Sequence, residues 1–150
     1  MKNVENGQKI GELIPDKAYI NQHNATLNLR AIRKRKVLFF ISLHCVRCID
    51  LLPEIKKVRE PNTEILLFSS ADQEDLQELA HFFQQKISIV SLSREQAKLD
   101  FQVYDYPFCV VADTSHCIYS KGAAYNAVDV MELIHHRGGS KFLKMFGKRI

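Results

Sequence analysis

An apolar, β-prone run that leads into two cysteines is the feature that most constrains how this chain folds. The run spans residues 37–43, and His44, Cys45 and Cys48 follow it where a helical pattern begins. A thiol at a helix N-terminus meets free backbone N–H groups and the positive end of the helix dipole, which lower its pKa. The second cysteine comes one turn later and faces the same side. The arrangement therefore indicates disulfide exchange through Cys45 and Cys48.

Composition narrows the class of protein further. The chain has 150 residues, 46% hydrophobic and 25% charged, which fits one soluble globular domain. Its four cysteines are too few for a disulfide scaffold. A net charge of +4 is modest, and the basic run 30–36 lacks interleaved aromatic residues. We therefore predict no nucleic-acid partner and interpret the basic run as a solvated entrance to a strand.

Hydrophobic periodicity predicts strands and helices in alternation. The predicted elements are a short strand pair at 18–20 and 26–29, strands at 37–42, 64–69, 87–92, 108–112 and 117–120, and helices at 45–59, after Asp72, at 94–101 and at 127–136. Gly122 is predicted to break the chain after the last strand. This order predicts an α/β fold with a central mixed sheet and helices on both faces.

One domain is predicted over residues 1–137, with an N-terminal arm and hairpin over about 1–30, followed by a basic tail at 138–150. Packing onto the domain or disorder is the plainer prediction for the tail, and weak contact with a membrane surface or docking to an acidic partner is the sharper one. Residues 1–10 are polar and carry no apolar leader. The expected compartment is the cytoplasm for the chain as written, or an extracytoplasmic or membrane-anchored location if a leader was removed.

These motifs together resemble the thioredoxin superfamily, and within it the thiol-disulfide oxidoreductases of the TlpA/ResA type. The CxxC after a strand, Pro53 within the following helix, and Pro107 before an apolar strand all match that superfamily. Residues 11–16 and the hairpin after them favour the TlpA side, as an N-terminal β extension of a thioredoxin fold. Pro107 stands at the place of the superfamily's cis-proline.

The resemblance implies that Cys45 is the exposed nucleophile and Cys48 the resolving thiol. It implies a protein thiol-disulfide oxidoreductase with no cofactor beyond the Cys45–Cys48 disulfide, acting on a cysteine-containing peptide or protein and recycled by a redox partner. Tyr106, beside Pro107, would pair with the extended substrate. His44, Val46 and Arg47 would modulate the site, and a protonated His44 with Arg47 would favour the Cys45 thiolate.

Several positions depart from the family's pattern. His44 replaces the usual aromatic residue before the first cysteine, and Val46 and Arg47 replace Gly-Pro or a similar pair. Phe39 and Leu51 stand where the family usually has buried proton-handling groups. Their absence keeps open a rival prediction, a redox-silent thioredoxin-like module that binds peptides in the Pro107 groove.

Three other readings concern the cysteines. A zinc site could combine the CxxC with Cys109, Cys117, His44 or His116. A peroxiredoxin is suggested by Ser42, three residues before Cys45, but Leu38 stands where that family has proline. Cys109 and Cys117 are predicted to be small hydrophobic residues in adjacent strands, with Cys109 opposite Ser120 and no second disulfide.

Overall fold

A computed structural model describes residues 5–136 of the chain. In chain order, its strands are β1 (Ala18–Ile20), β2 (Thr26–Asn28), β3 (Arg35–Ile41), β4 (Thr63–Ser69), β5 (Ser88–Ser91), β6 (Phe108–Ala112) and β7 (Ile118–Gly122). The helices are α1 (Val46–Ile55), α2 (Gln73–Phe82), α3 (Arg94–Phe101) and α4 (Ala127–His135), with a short 3-10 turn at Leu29–Ala31. The alternation predicted from the periodicity is therefore confirmed.

Five strands form one mixed sheet in the order β5-β4-β3-β6-β7. The β3-β4 and β4-β5 pairs are parallel, whereas β6 runs antiparallel to both β3 and β7. The first two strands make a separate antiparallel hairpin. Because the carboxyl ends of β3, β4 and β5 share one edge of the sheet, the segments that follow these strands meet there.

Apolar side chains alternate between the two faces of the sheet, so two cores form. One core packs α1, α2 and α4 against residues such as Phe39 and Leu67. The other packs α3 and the N-terminal hairpin against residues such as Phe40 and Phe68. Helices thus cover both faces, and the predicted fold class, including the N-terminal β extension, is confirmed.

Sequence features set the helix ends. Asp72 is the N-cap of α2, as predicted; its side chain accepts a hydrogen bond from the N–H of Asp75, and the Asp75 carboxylate accepts one from the Asp72 N–H. Ser93 and Asn126 cap α3 and α4 in the same way, each accepting from the backbone three residues on. Polar N-caps therefore fix where the helices begin.

Two predictions about the sheet are corrected. Gly122 does not break the chain but ends β7, and Cys109 lies opposite Gly122, not Ser120. The turn after β6 is one residue longer than predicted, because Asp113 bonds back to Cys117, and a bulge between Val111 and Ala112 shifts the register again.

The basic run is also less solvated than predicted. Lys36 is fully buried, and its ammonium donates to the carbonyl oxygens of Ile32, Lys34 and Asp113 at 2.7, 2.8 and 3.4 Å. Burial lowers the pKa of this lysine, although the charge of Asp113 opposes that shift. Lys36 therefore ties the entrance of β3 to the turn that follows β6.

The basic tail predicted at 138–150 lies outside the described residues. Within residues 5–136, no helix is long and apolar enough to cross a membrane.

Candidate active site

The turn between β3 and α1 presents the first cysteine at the tip of the helix. The N–H of His44 donates to the Ser42 hydroxyl at 3.2 Å, and the N–H of Cys45 donates to the Ser42 carbonyl at 3.2 Å. Cys45 is the N-cap of α1, with extended backbone, and its sulfur accepts from the N–H of Cys48 at 3.3 Å. Its thiol therefore takes the place that a serine oxygen takes in an ordinary cap.

This position changes the acidity of Cys45, which is partly exposed. Burial alone raises the pKa of its thiol. Hydrogen bonds from the Cys48 side chain and from the N–H groups of Cys48 and Arg47, together with the charge of Arg47, outweigh burial and bring that pKa below its usual value. Cys45 is thus prepared to ionise and to act as a nucleophile.

Cys48 has the opposite character. Its side chain is fully buried in the core beneath α1, and its sulfur accepts from the N–H of Ser42 at 3.3 Å. Burial raises the pKa of Cys48 to about 12, and the hydrogen bond with Cys45 and the charge of Cys45 add to that effect. The two thiols therefore differ in both burial and pKa: Cys45 is partly exposed with a lowered pKa, and Cys48 is buried and stays protonated.

Apolar residues lie beside the buried thiol at the two positions where the resemblance drawn from the sequence implies proton-handling groups. Phe39 and Leu51 are both fully buried, and both belong to the same core as Cys48. Neither can move a proton. A base for Cys48 therefore has to come from water or from another group at this edge of the sheet.

The second half of the site lies at the start of β6. Phe40 pairs with Phe108 across the antiparallel β3-β6 ladder, which places Pro107 beside the carboxyl end of β3. The Tyr106–Pro107 peptide bond is cis. Tyr106 is half-buried and packs against both cores, and the Cys48 thiol is close enough to act electrostatically on its hydroxyl. The fold thus brings Pro107 and Tyr106 to the cysteines.

The three modulating residues predicted from sequence surround Cys45 on the exposed side. His44 is exposed, Val46 is 75% exposed, and the guanidinium of Arg47 lies 5.2 Å from the centre of the Tyr125 ring. The charge of Arg47 and its backbone N–H both lower the pKa of the Cys45 thiol. The contribution of His44 to the thiolate stays a prediction.

Sequence reasoning missed Arg94 and Tyr125. Arg94 begins α3, its guanidinium carbon lies 4.5 Å from the centre of the Tyr106 ring, and its charge reaches the Cys48 thiol. The sequence carries one signal for Arg94. This residue begins the helix that follows β5, and the carboxyl ends of parallel β3, β4 and β5 share one edge of the sheet, so a residue just after β5 lies near the cysteines. Tyr125 carries no such signal, because only the packing of α4 against α1 brings it to Arg47.

The remaining cysteines are separate from the pair. Cys109 is fully buried, and burial raises the pKa of its thiol. Cys117 lies beyond the other end of β6, where its thiol donates to the carbonyl of Gly11 at 3.5 Å. Across residues 5–136, no three His, Cys, Asp or Glu side chains gather as a set that could hold a metal ion.

Comparison with known proteins identifies the fold of this chain. No protein-family model and no curated protein matches the sequence. Solved structures do match. One is a thiol:disulfide interchange protein from Bacteroides sp., with 16% identity, a TM-score of 0.68, and coverage of 87% of this chain and 94% of that one.

Two further structures are similar over comparable lengths. The thioredoxin domain of a thiol-disulfide oxidoreductase from Bacteroides vulgatus has 16% identity and a TM-score of 0.67, covering 83% of this chain and 96% of its own. A thiol peroxidase from Chromobacterium violaceum has 13% identity and a TM-score of 0.64, covering 97% of this chain and 91% of its own. At these identities the likeness establishes the fold, and this chain has the thioredoxin fold.

Proposed function

We propose that this protein is a thiol-disulfide oxidoreductase that exchanges disulfides with a cysteine-containing peptide or protein through Cys45 and Cys48. The observation that carries the proposal is the asymmetry of the two thiols. Cys45 is partly exposed with a lowered pKa, whereas Cys48 is buried with a pKa of about 12 and hydrogen-bonded to it. A module that only binds peptides requires no such pair. The redox-active disulfide is the only cofactor that the chemistry needs.

The first step is attack by the Cys45 thiolate on a substrate disulfide. A bond forms between the Cys45 sulfur and one substrate sulfur, the substrate disulfide breaks, and the departing sulfur takes a proton from water. An extended substrate would lie against Tyr106 and Pro107, which border the cysteines. The exposed side chains of His44, Val46 and Arg47, which neighbour Cys45 in sequence, would also contact the substrate.

The second step follows from the coupling between the thiols. In the mixed disulfide Cys45 no longer carries a charge, so its contribution to the high pKa of Cys48 disappears. Cys48 then loses its proton to water and attacks the Cys45 sulfur. The Cys45–Cys48 disulfide forms and the second substrate thiol departs, so that two electrons pass from the protein to the substrate. A redox partner would reduce the disulfide again, and the reverse sequence would oxidise a substrate dithiol.

Reduction of insulin disulfides by dithiothreitol tests the proposal. We expect the wild-type protein to accelerate the reaction and Cys45→Ser to abolish the acceleration. Cys117→Ser is the matched control, because this partly exposed thiol lies at the other end of β6. Equal and negligible rates for the wild-type and Cys45→Ser proteins would overturn the proposal and favour the binding module. Rapid peroxide consumption that depends on Cys45, without insulin reduction, would favour a peroxidase.

A further inference from the structure

A small cavity opens at the turn between β3 and α1, near the cysteine pair, and Arg47 is not among the residues that line it. Its volume is about 110 Å³, close to that of one short side chain, and its walls include Ser42, His44, Arg94 and Tyr106. The backbone N–H of Ser42 is bonded to the Cys48 sulfur. Neither cysteine lines the cavity, but Ser42 and His44 connect it to the thiol pair, and Tyr106 connects it to the place where an extended substrate would lie.

The lining of this cavity is mostly apolar; it includes one permanent cation, Arg94, and hydroxyl-bearing residues such as Ser42 and Tyr106, but no Asp or Glu. Among residues 5–136, no acidic side chain forms an ion pair with Arg94, whose guanidinium instead stacks on the Tyr106 ring. Glu95, next to Arg94, and Asp105, next to Tyr106, are exposed and do not line the cavity. This cation–π contact occupies the face of the guanidinium and not its N–H groups, which can therefore donate to a bidentate acceptor such as a carboxylate.

We infer that this cavity is a subsite for a carboxylate of the substrate, bound by Arg94 and positioned within two residues of the cysteine that bonds to Cys45. The inference rests on the proposed function and narrows its substrates to disulfides that carry an acidic group beside the cysteine. Such a carboxylate belongs either to an Asp or Glu of a peptide or to a small acidic disulfide such as glutathione disulfide.

Arg47 and Arg94 have different roles in this account. Arg47 acts on Cys45 itself, lies over the Tyr125 ring and does not line the cavity, so we expect it to affect all substrates alike. Arg94 faces the cavity and discriminates between substrates. This difference supplies a matched control, since both side chains are exposed arginines whose replacement by glutamine leaves the cores intact.

The test compares disulfide-linked model peptides that carry Asp at one of the four positions within two residues of cysteine with the same peptides carrying Asn. For at least one position we expect the wild-type protein to show a kcat/KM about tenfold higher for the Asp peptide, the size of a charge-assisted hydrogen bond. Arg94→Gln should bring that ratio close to one, whereas Arg47→Gln should lower both rates and keep most of the ratio. Glutathione disulfide and its esterified form, measured in parallel, show whether a small acidic disulfide is also selected.

Equal rates for Asp and Asn peptides at every position would overturn the subsite while the turnover itself upheld the oxidoreductase. A ratio that survives Arg94→Gln would overturn it too. If no peptide turns over, the proposed function is wrong, and titration with S-methylated peptides decides the subsite. Tighter binding of the Asp peptide that is lost in Arg94→Gln would support the subsite, and equal binding would overturn it.

Discussion

Tyr19 joins the N-terminal hairpin to α3 through a part-buried hydrogen bond. Its hydroxyl donates to the Asp100 carboxylate at 2.7 Å; Tyr19 is 6% exposed and the Asp100 side chain 10%. Hydrogen bonds to charged groups contribute about 1.5–3 kcal/mol. Tyr19→Phe keeps the ring, which packs on Phe68 and Phe101, and removes only the hydroxyl. We expect it to lower the free energy of unfolding at pH 7 by about 1.5–3 kcal/mol, or roughly 5–10 °C in Tm.

The stability lost in Tyr19→Phe should decrease as the pH falls into the acidic range. Burial raises the pKa of Asp100, but hydrogen bonds from Lys17, Tyr19 and Gln96 outweigh burial and lower it. A carboxyl whose folded pKa is depressed stabilises the fold above its unfolded pKa of about 3.9, and that contribution disappears as the pH falls through the folded value. The difference between wild type and Tyr19→Phe should therefore be constant near neutrality and narrow below about pH 4.

Urea unfolding followed by circular dichroism measures the effect, with Asp100→Asn and the double variant completing a cycle. The loss of stability caused by Tyr19→Phe should be smaller in the Asp100→Asn background, because the amide oxygen can still accept from the hydroxyl but the charge that strengthens the bond is gone. A loss below about 0.5 kcal/mol at pH 7, or the same loss in both backgrounds, would refute the reasoning.

Two further predictions concern the site and its support. Arg47→Gln should raise the pKa of Cys45 by removing a nearby positive charge, so the midpoint of the pH profile for alkylation of Cys45 should move upward; an unchanged midpoint would show that the helix tip alone sets it. Gly7→Ala should lower the free energy of unfolding by about 1–3 kcal/mol, because Gly7 has a φ of +83° and a Cβ there would lie 2.6 Å from the Phe108 ring; thermal unfolding within 1 °C of wild type would contradict this.

The fold could be predicted from the sequence because the patterns that indicate it are local. The apolar runs of β3 and β4, the Asp72 cap and the position of the CxxC each depend on a few neighbouring residues. Helix formation places Cys45 and Cys48 together at the tip of α1 without any tertiary information. The pairing of the two thiols was therefore predictable from spacing alone.

What sequence reasoning missed depends on contacts between distant segments. The bulge in β6 changes which residue lies opposite Cys109, and no residue type in the sequence predicts that bulge. The sequence predicts Lys36 to be a solvated cation, but in the structure its ammonium donates to a carbonyl of the turn after β6. Arg94 becomes part of the site only because α3 begins at the edge where Tyr106 lies. Each case needs the position of a second strand or helix, which local patterns do not give.

Redox titration in glutathione buffers, with alkylation of free thiols and mass spectrometry, tests the central claim most directly. As the buffer becomes more oxidising, we predict that Cys45 and Cys48 lose their reactivity together in one two-electron transition, with no glutathione retained on either. Cys48→Ser should instead accumulate glutathione on Cys45. If both thiols remain alkylatable throughout the titration, or if they oxidise independently, the pair is not a disulfide-exchange centre.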